Sequence, residues 1–513
     1  MSPMKLAYTR AVGDHILGVA KRQKKPRRGE STAMKDLVKL TATQAVAMLK
    51  RREVSPLELI AAAVARIEAT NPKINALVTL CVERARDHAK RIMNESTSDQ
   101  PPQYLHGLPI AVKDNTDVAG VRCTSGSRIY AHRIASASDL VVERLEANGA
   151  VVIGKSNLPE FAAGGNTFND VFGATLNPWD TRMSASGSSG GAAAALAAGQ
   201  VWLATGSDFG GSIRTPASFC SITGLRPSPG MVPRVQKQPF SPLSVEGPMA
   251  RTVADVALMF DAEAGFHPLD PLSQVGPHPS FAQAAARPQR PLRVAFSANL
   301  GIAPVVDQEV HAVCQAAAAK LAQDGVAVEE DHPDLGDAGK TFLTLRGAAY
   351  IARMAPLLKK YRELLKPEVI ENTEFGLRLK LRDVVAAEIV QGEIVRGVAK
   401  FFENYDVLIC PTVLCPPFDV KRRYVEELDG VHFEGYMGWL ILSYAVTMTA
   451  CPVMALPCGF TKSGLPIGLQ AIGKPRGEAA LFSAAAYMEE LLGVAKLTPI
   501  EPRAHTRPRN LGL

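Results

Sequence analysis

Short apolar runs alternate with helix-forming stretches along most of this chain, and that alternation leaves few folds open. Residues 108–112, 150–153, 201–205, 292–296, 406–409, 453–456 and 467–472 read as buried strands, rich in Val, Ile, Leu and Ala. Between them lie helical segments at 139–148 (stopped by Gly149), 191–199 (rich in alanine), 308–323 and 477–492. Asn157, with Glu160 three residues later, offers one more helix start. Upstream, residues 40–70 read as two helices. The second opens at Ser55-Pro56-Leu57-Glu58, with Ser at N-cap, Pro in the first turn and Glu at N3, and closes at Asn71-Pro72. Strands that are apolar on both faces and separated by helices call for an α/β domain with a mainly parallel sheet buried on both sides. Residues 284–291 and 421–431 read as loops, and 338–404 as a largely helical insertion over the sheet. No repeat or linker divides the chain, so 34–513 is expected to form a single domain behind an extension at 1–33.

Composition narrows the function classes. The net charge of +7 is a property of the extension: residues 1–33 hold eight Lys/Arg against two acids, concentrated in Lys21-Arg22-Gln23-Lys24-Lys25-Pro26-Arg27-Arg28. That run reads as a solvated, disordered tail, and Met34 offers an alternative start. The near-neutral body gives no electrostatic reason to expect nucleic-acid binding. Eight cysteines spread without close pairs form neither a disulfide framework nor a zinc motif, which points to a reducing, cytoplasmic setting. There is no apolar leader of sufficient length. The uncharged stretch 439–460 is long enough to cross a bilayer, but Pro452 and Pro457 interrupt it, so a buried helix followed by a buried strand is expected instead.

Three strings carry chemistry. Gly149-Ala150-Val151-Val152-Ile153-Gly154-Lys155-Ser156 fits the phosphate-loop pattern, but its interior is itself a strand and Pro159 crowds the helix that should follow. Gly187-Ser188-Ser189-Gly190-Gly191 fits the nucleophile elbow of α/β-hydrolases with Ser189 as nucleophile. That reading needs a strand before it, where residues 177–183 look like turn material, and a late His in a persuasive context. The third string is Asp208-Phe209-Gly210-Gly211-Ser212-Ile213-Arg214. Its paired glycines permit backbone shapes in which several N–H groups meet one oxygen, as an anionic tetrahedral centre requires. No His stands from Arg133 to Phe266, so a serine nucleophile here must be activated by lysine or by a distant His. Lys113 ends an apolar strand; burial would disfavour its ammonium form and make it a base.

Together, Lys113, the Gly-Ser cluster and the Gly-Gly-Ser loop resemble the amidase signature family of Ser-Ser-Lys hydrolases. The resemblance extends through Gly154-Lys155-Ser156-Asn157-Leu158-Pro159-Glu160-Phe161, Asn177-Pro178-Trp179, Gly224-Leu225-Arg226-Pro227-Ser228 and Gly464-Leu465-Pro466-Ile467-Gly468-Leu469-Gln470. It implies a single large α/β domain whose mainly parallel, mixed central sheet is covered by helices on both faces, with a catalytic core over about 105–230. It implies Ser212 as nucleophile, Ser188 as a bridging serine after a cis peptide bond, and Lys113 as base. Phe209, Gly210, Gly211 and Ser212 would supply an oxyanion hole from their backbone N–H groups, with Ser189, Asp208 and Arg214 in support. The reaction would be hydrolysis of a small-molecule amide, or of an ester or carbamate by the same acyl-enzyme route, without metal or cofactor. A homodimer is compatible with this reading.

The loop looks more like those of free-standing amidases, including the 6-aminohexanoate cyclic dimer hydrolase type, than like that of the glutamyl-tRNA amidotransferase A subunit. The alternatives are an esterase using Ser189, a catalytically silent scaffold and that amidotransferase component. Ser186 and Ser207 stand where Gly and Thr are common in the family, and Thr447 and Ala450 replace frequent Asn and Gly. None is a triad member, so these departures bear on substrate class. The substrate pocket is expected near Ala163, Gly164, Gly165 and Phe209, with Tyr436, Trp439 and Tyr444 either offering an aromatic acyl site or forming a buried helix face.

Overall fold

The computed structural model describes residues 36–276 and 280–504; the basic extension lies outside the described residues. Eleven strands build one sheet: β1 (Leu77–Leu80), β2 (Pro109–Lys113), β3 (Val151–Ser156), β4 (Leu203–Asp208), β5 (Thr223–Arg226), β6 (Val245–Ala250), β7 (Arg293–Phe296), β8 (Ala327–Glu330), β9 (Val407–Pro411), β10 (Val453–Phe460) and β11 (Pro466–Gly473). Their order across the sheet is β1-β3-β2-β4-β6-β5-β10-β11-β9-β7-β8. Parallel pairs occupy both flanks, β3-β2-β4 on one side and β9-β7-β8 on the other. The middle of the sheet and the β1 edge pair antiparallel. Every residue of β2, β3, β4, β5, β6, β9 and β11 is buried, as strands covered on both faces must be.

The helices are α1 (Ala42–Lys50), α2 (Pro56–Ile74), α3 (Val82–Met93), α4 (Leu140–Ala147), α5 (Gly190–Ala197), α6 (Arg214–Cys220), α7 (Val253–Glu263), α8 (Phe281–Ala285), α9 (Gln308–Gln323), α10 (Ala338–Tyr361), α11 (Pro367–Arg378), α12 (Leu381–Phe401), α13 (Ile441–Thr447) and α14 (Glu478–Leu492). The Ser55–Glu58 capping box forms at the start of α2, as the sequence implies. Its end differs. The helix runs on through Pro72 to Ile74, because a proline in the last turn removes only one N–H. The reversal falls at Asn75, which takes a left-handed conformation with φ 49°. The Asn71 side chain secures it by accepting from the N–H groups of Ala76 (2.8 Å) and Leu77 (3.0 Å).

The helix expected after Asn157 does not form. Residues Glu160–Ala162 make only a single 3-10 turn, with Phe161 and Ala162 at φ 51° and 57°. Both capping groups are engaged elsewhere. Asn157 accepts from Asn169 Nδ2 (2.8 Å), and the Glu160 carboxylate accepts from Ser127 Oγ (2.6 Å) and Lys366 N (2.8 Å). The phosphate-loop string is strand β3, with no helix behind it. Residues 177–183, expected as turn, lie largely in a short hairpin outside the main sheet, formed by Leu176–Asn177 and Asp180–Ser184.

Residues 439–460 contain a 3-10 turn (Gly438–Leu440), the short helix α13 and strand β10, the buried helix-then-strand arrangement expected. No helix among the described residues is long and apolar enough to cross a membrane. All eight cysteines are unpaired, seven of them buried. On one face of the sheet, Phe260 of α7 packs against Phe281 of α8 and Phe482 of α14, with ring centroids 4.5 and 5.8 Å away. All three are fully buried. Replacing Phe482 by Ala should cost about 3–5 kcal/mol, because the surrounding helices collapse only partly onto the void. Urea unfolding of the wild type and the variant measures this; coincident midpoints would show that the aromatic trio does not hold these helices together.

Candidate active site

Lys113 ends β2, and Ser207 and Asp208 end the adjacent parallel strand β4. Two loops meet there: residues 185–189, between the hairpin and α5, and residues 209–213, between β4 and α6. The site therefore sits at the carboxyl ends of parallel strands, where side chains from separate loops converge. The sequence-nominated Lys113, Ser188, Ser189, Asp208, Arg214 and Ser212 are all brought to this point. Ser189 N donates to the Ser212 carbonyl (3.1 Å), and Thr215 Oγ1 donates to the Gly187 carbonyl (2.8 Å). Those two bonds tie the loops in register. The Gly187–Ser188 peptide bond is cis.

Lys113 is wholly buried. Its Nζ lies 2.7 Å from Ser188 Oγ, 2.9 Å from Ser189 Oγ and 3.0 Å from Ser207 Oγ. Among the described residues no carboxylate stands within 4.0 Å of it. A neutral amine has two donors and one lone pair, so three hydroxyls satisfy it with one hydroxyl donating to the nitrogen. Burial lowers the Lys113 pKa to about 7, against the opposing pull of the Glu246 and Asp208 charges.

Asp208 is the other buried charge, and it is fully matched. Arg214 donates to it through Nε and Nη2, both at 3.0 Å, and Arg226 through Nη1 at 3.0 Å. Burial would raise its pKa, but the two guanidinium groups overcome that and hold the carboxyl well below the usual range. The carboxylate also accepts from Gly211 N (2.9 Å) and Ile213 N (3.2 Å), which shapes the loop. Of the four N–H groups nominated for the oxyanion, that of Gly211 is directed at Asp208 in this structure. Gly211 has φ 114°, and a Cβ there would lie 2.5 Å from Ser443 Cβ, so no other residue fits.

A cavity of about 600 Å³ opens over these groups, lined by Ser188, Ser212, Phe209, Gly210, Gly164 and Tyr436 among others. Ala163, Gly165 and Trp439 do not line it. Trp439 is fully buried behind the wall, and a Cβ on Gly165 would fall 2.4 Å from its ring, so this pair is packing. Tyr444 likewise stacks on Phe342, with ring centroids 4.8 Å apart. Sequence reasoning missed Ser207 as the third partner of Lys113, Arg226 as the second clamp on Asp208, and the cavity residues Glu246, Arg346, Tyr350 and Arg353. Glu246 pairs across the sheet with Ser207, a relation that only strand order reveals. Among the described residues no group of three or more His, Cys, Asp or Glu side chains could hold a metal ion.

Residues 58–482 match the sequence profile of the Amidase family. The chain belongs to that family. It is 35% identical over 466 residues to an acylamidase of Rhodococcus erythropolis, covering 90% of this chain and 97% of that one. It is also 36% identical over 479 residues to the A component of the glutamyl-tRNA(Gln) amidotransferase of Geobacillus kaustophilus, covering 88% and 97%. Among solved structures, a bacterial aryl acylamidase of the amidase signature enzymes superposes with TM-score 0.82 at 26% identity, over 90% of this chain and 99% of that one. A 6-aminohexanoate cyclic dimer hydrolase superposes with TM-score 0.80 at 27% identity, over 91% and 99%. The protein is thus an amide-cleaving hydrolase with the amidase signature fold.

In this family member the Asp208 clamp joins one buried carboxylate to two buried guanidinium groups. Asp208→Asn removes the charge shared by two buried guanidinium groups and should cost about 3–5 kcal/mol. Denaturant unfolding of the purified variant reads that loss, and an undiminished midpoint would show that the clamp does not support the fold.

Proposed function

We propose that this amidase hydrolyses a small carboxylic amide through an acyl-enzyme formed on Ser212. The observation that carries the reading is the buried Lys113 nitrogen held by three serine hydroxyls without an anionic partner. A lysine so placed is a base near neutral pH. Neutral Lys113 takes the proton of Ser188, and Ser188 takes that of Ser212, whose oxygen attacks the amide carbon. The N–H groups of Phe209, Gly210 and Ser212 receive the developing oxyanion, each such donor being worth roughly 3 kcal/mol in the transition state. The relay then runs backwards to protonate the leaving amine, and water repeats the cycle on the ester. Ester and carbamate substrates are open to the same route.

The free-standing reading rests on the likeness to the acylamidase and to the two superposing hydrolases. The comparable identity to an amidotransferase component, 36% against 35%, supports a second reading, in which the chain releases ammonia from an amide only with its partners present. Turnover of a simple anilide by the purified chain alone separates the two.

Ser212→Ala should reduce turnover below detection. Lys113→Ala should lower kcat/KM by about 10²–10⁴-fold, the range for loss of a general base. A fluorophosphonate probe should label Ser212, with the labelled peptide mapped by mass spectrometry. Label on Ser189 instead would favour the elbow-type esterase, and wild-type rates in Ser212→Ala would end the proposed mechanism. Because Lys113 must be neutral, kcat/KM should rise about tenfold per pH unit below its pKa of about 7 and level off above it. A profile flat down to pH 5 would rule out lysine as the base.

A further inference from the structure

One wall of the cavity carries a buried charge without an opposite. Arg346, on α10, is 5% exposed and lines the cavity. Its guanidinium donates only to neutral acceptors: Nη1 to Asn372 Oδ1, and Nη2 to the phenol oxygens of Tyr350 (3.0 Å) and Tyr436. Nε and one Nη1 hydrogen are left without an acceptor among the described residues. Among the described residues no carboxylate lies within 4.0 Å of it. Arg214 and Arg226, which are also buried, share Asp208. The carboxylates that line the cavity are engaged elsewhere. Asp117 pairs with Arg133, Asp139 accepts from Asp117 N at 2.7 Å, and Glu246 faces Arg234 at 3.7 Å.

The charge stands beside the loop that carries Ser212 and lines the same cavity. The Arg346 guanidinium carbon is 6.0 Å from the centre of the Phe209 ring, and Phe209 opens the loop that carries Ser212. Arg353, two helical turns along the same face of α10, lines the same cavity, again with no carboxylate within 4.0 Å among the described residues. Tyr350 stands between them, 4.4 Å from the Arg346 guanidinium. A buried cation without a partner is destabilising, and here the space in front of it is open to a ligand. The planar fork of a guanidinium matches a carboxylate with two parallel hydrogen bonds.

We propose that Arg346, supported by Arg353, binds a carboxylate of the substrate, so that the amides this protein hydrolyses carry an anionic group besides the scissile bond. The inference rests on the amidohydrolase reading and adds a substrate class to it. Arg346 acts here as a specificity determinant; the bond-breaking groups are those described above.

The test compares substrates that differ only in charge. The 4-nitroanilides of glutaric and pentanoic acid place or omit a carboxylate on the acyl side; 4-acetamidobenzoate and acetanilide do so on the amine side. The wild type should favour the carboxylated member of at least one pair by about tenfold or more in kcat/KM, chiefly through KM. In Arg346→Gln that ratio should fall to near one. No preference in either pair, or a preference that survives Arg346→Gln, would overturn the proposal. If Arg346→Gln does not fold, Arg346→Lys keeps the charge but loses the fork, and its ratio should still fall severalfold. If no amide is turned over, the proposed function has failed separately, and calorimetric titration of the wild type and the variant with glutarate and with pentanamide decides the inference. Binding of glutarate alone, lost in the variant, supports it; no binding of glutarate overturns it.

Discussion

The Asp208 carboxylate is the interaction on which the rest of this site depends. It sits at the end of β4 with no exposure to solvent, and two guanidinium groups meet it from different elements. Arg214 reaches on to the Ser443 carbonyl, Gln470 Oε1 and Thr447 Oγ1, which ties α13 and β11 to the loop. Arg226 reaches to the Leu243 carbonyl and so fixes the approach to β6. A lone carboxylate at this depth would be too costly to keep ionised, but with two cations and two backbone N–H groups the charge is compensated. The shape of the Gly-Gly-Ser loop follows from this, since the N–H groups of Gly211 and Ile213 point inward at Asp208. What remains free to face the cavity is what the carboxylate does not consume.

A buried lysine close to such a carboxylate would ordinarily be held charged. Here the carboxylate is bonded to Arg214 and Arg226, so Lys113 meets hydroxyl groups and no ion pair, although the Asp208 charge still pulls its pKa upward. Glu246 lies closer to the opposite outcome: it is buried on β6 across from Ser207, and its charge opposes the effect of burial on Lys113. Arg234, 3.7 Å from Glu246, draws part of that field away. Burial is thus the main cause of the lowered Lys113 pKa, and the two carboxylates offset it only in part.

The strands and helices of the parallel flanks were legible because both periodicity and apolar content point the same way there, as at β2, β3 and α9. The stop of α2 and the 3-10 turn at Glu160–Ala162 were not. At the 3-10 turn the side chains suited to cap locally, Asn157 and Glu160, bond to distant partners instead. The site divides in the same manner. Ser188, Asp208, Ser212 and Arg214 lie in Gly-Ser-rich strings that announce themselves, and Lys113, at the end of an ordinary apolar strand, is singled out only by their company. Ser207 and Arg226 lie in segments that the sequence does mark, but their contacts with Lys113 and Asp208, like the place of Glu246 opposite Ser207, follow only from strand order. Trp439 shows the converse. An aromatic residue near the site reads as pocket lining, yet it fills the space behind Gly165.

The same division separates chemistry from specificity. The groups proposed for bond cleavage stand at the ends of β2 and β4 and in two loops locked to each other by Ser189 N and Thr215 Oγ1, inside a wholly buried part of the sheet. The opposite wall of the cavity comes from α10 and the segment around Tyr436, joined to each other by the Arg346, Asn372 and Tyr436 cluster. No hydrogen bond crosses from Lys113, Ser188 or Asp208 to α10, and the two sets meet instead by packing, where Phe342 of α10 lies with its ring centroid 5.7 Å from that of Phe209. A change at Arg346 therefore alters what the cavity accepts while the hydrogen bonds that hold Lys113, Ser188 and Asp208 stay in place, whereas a change at Phe342 reaches the Gly-Gly-Ser loop. A family can keep one reaction across many amides when the reacting groups and the substrate wall belong to separately supported elements.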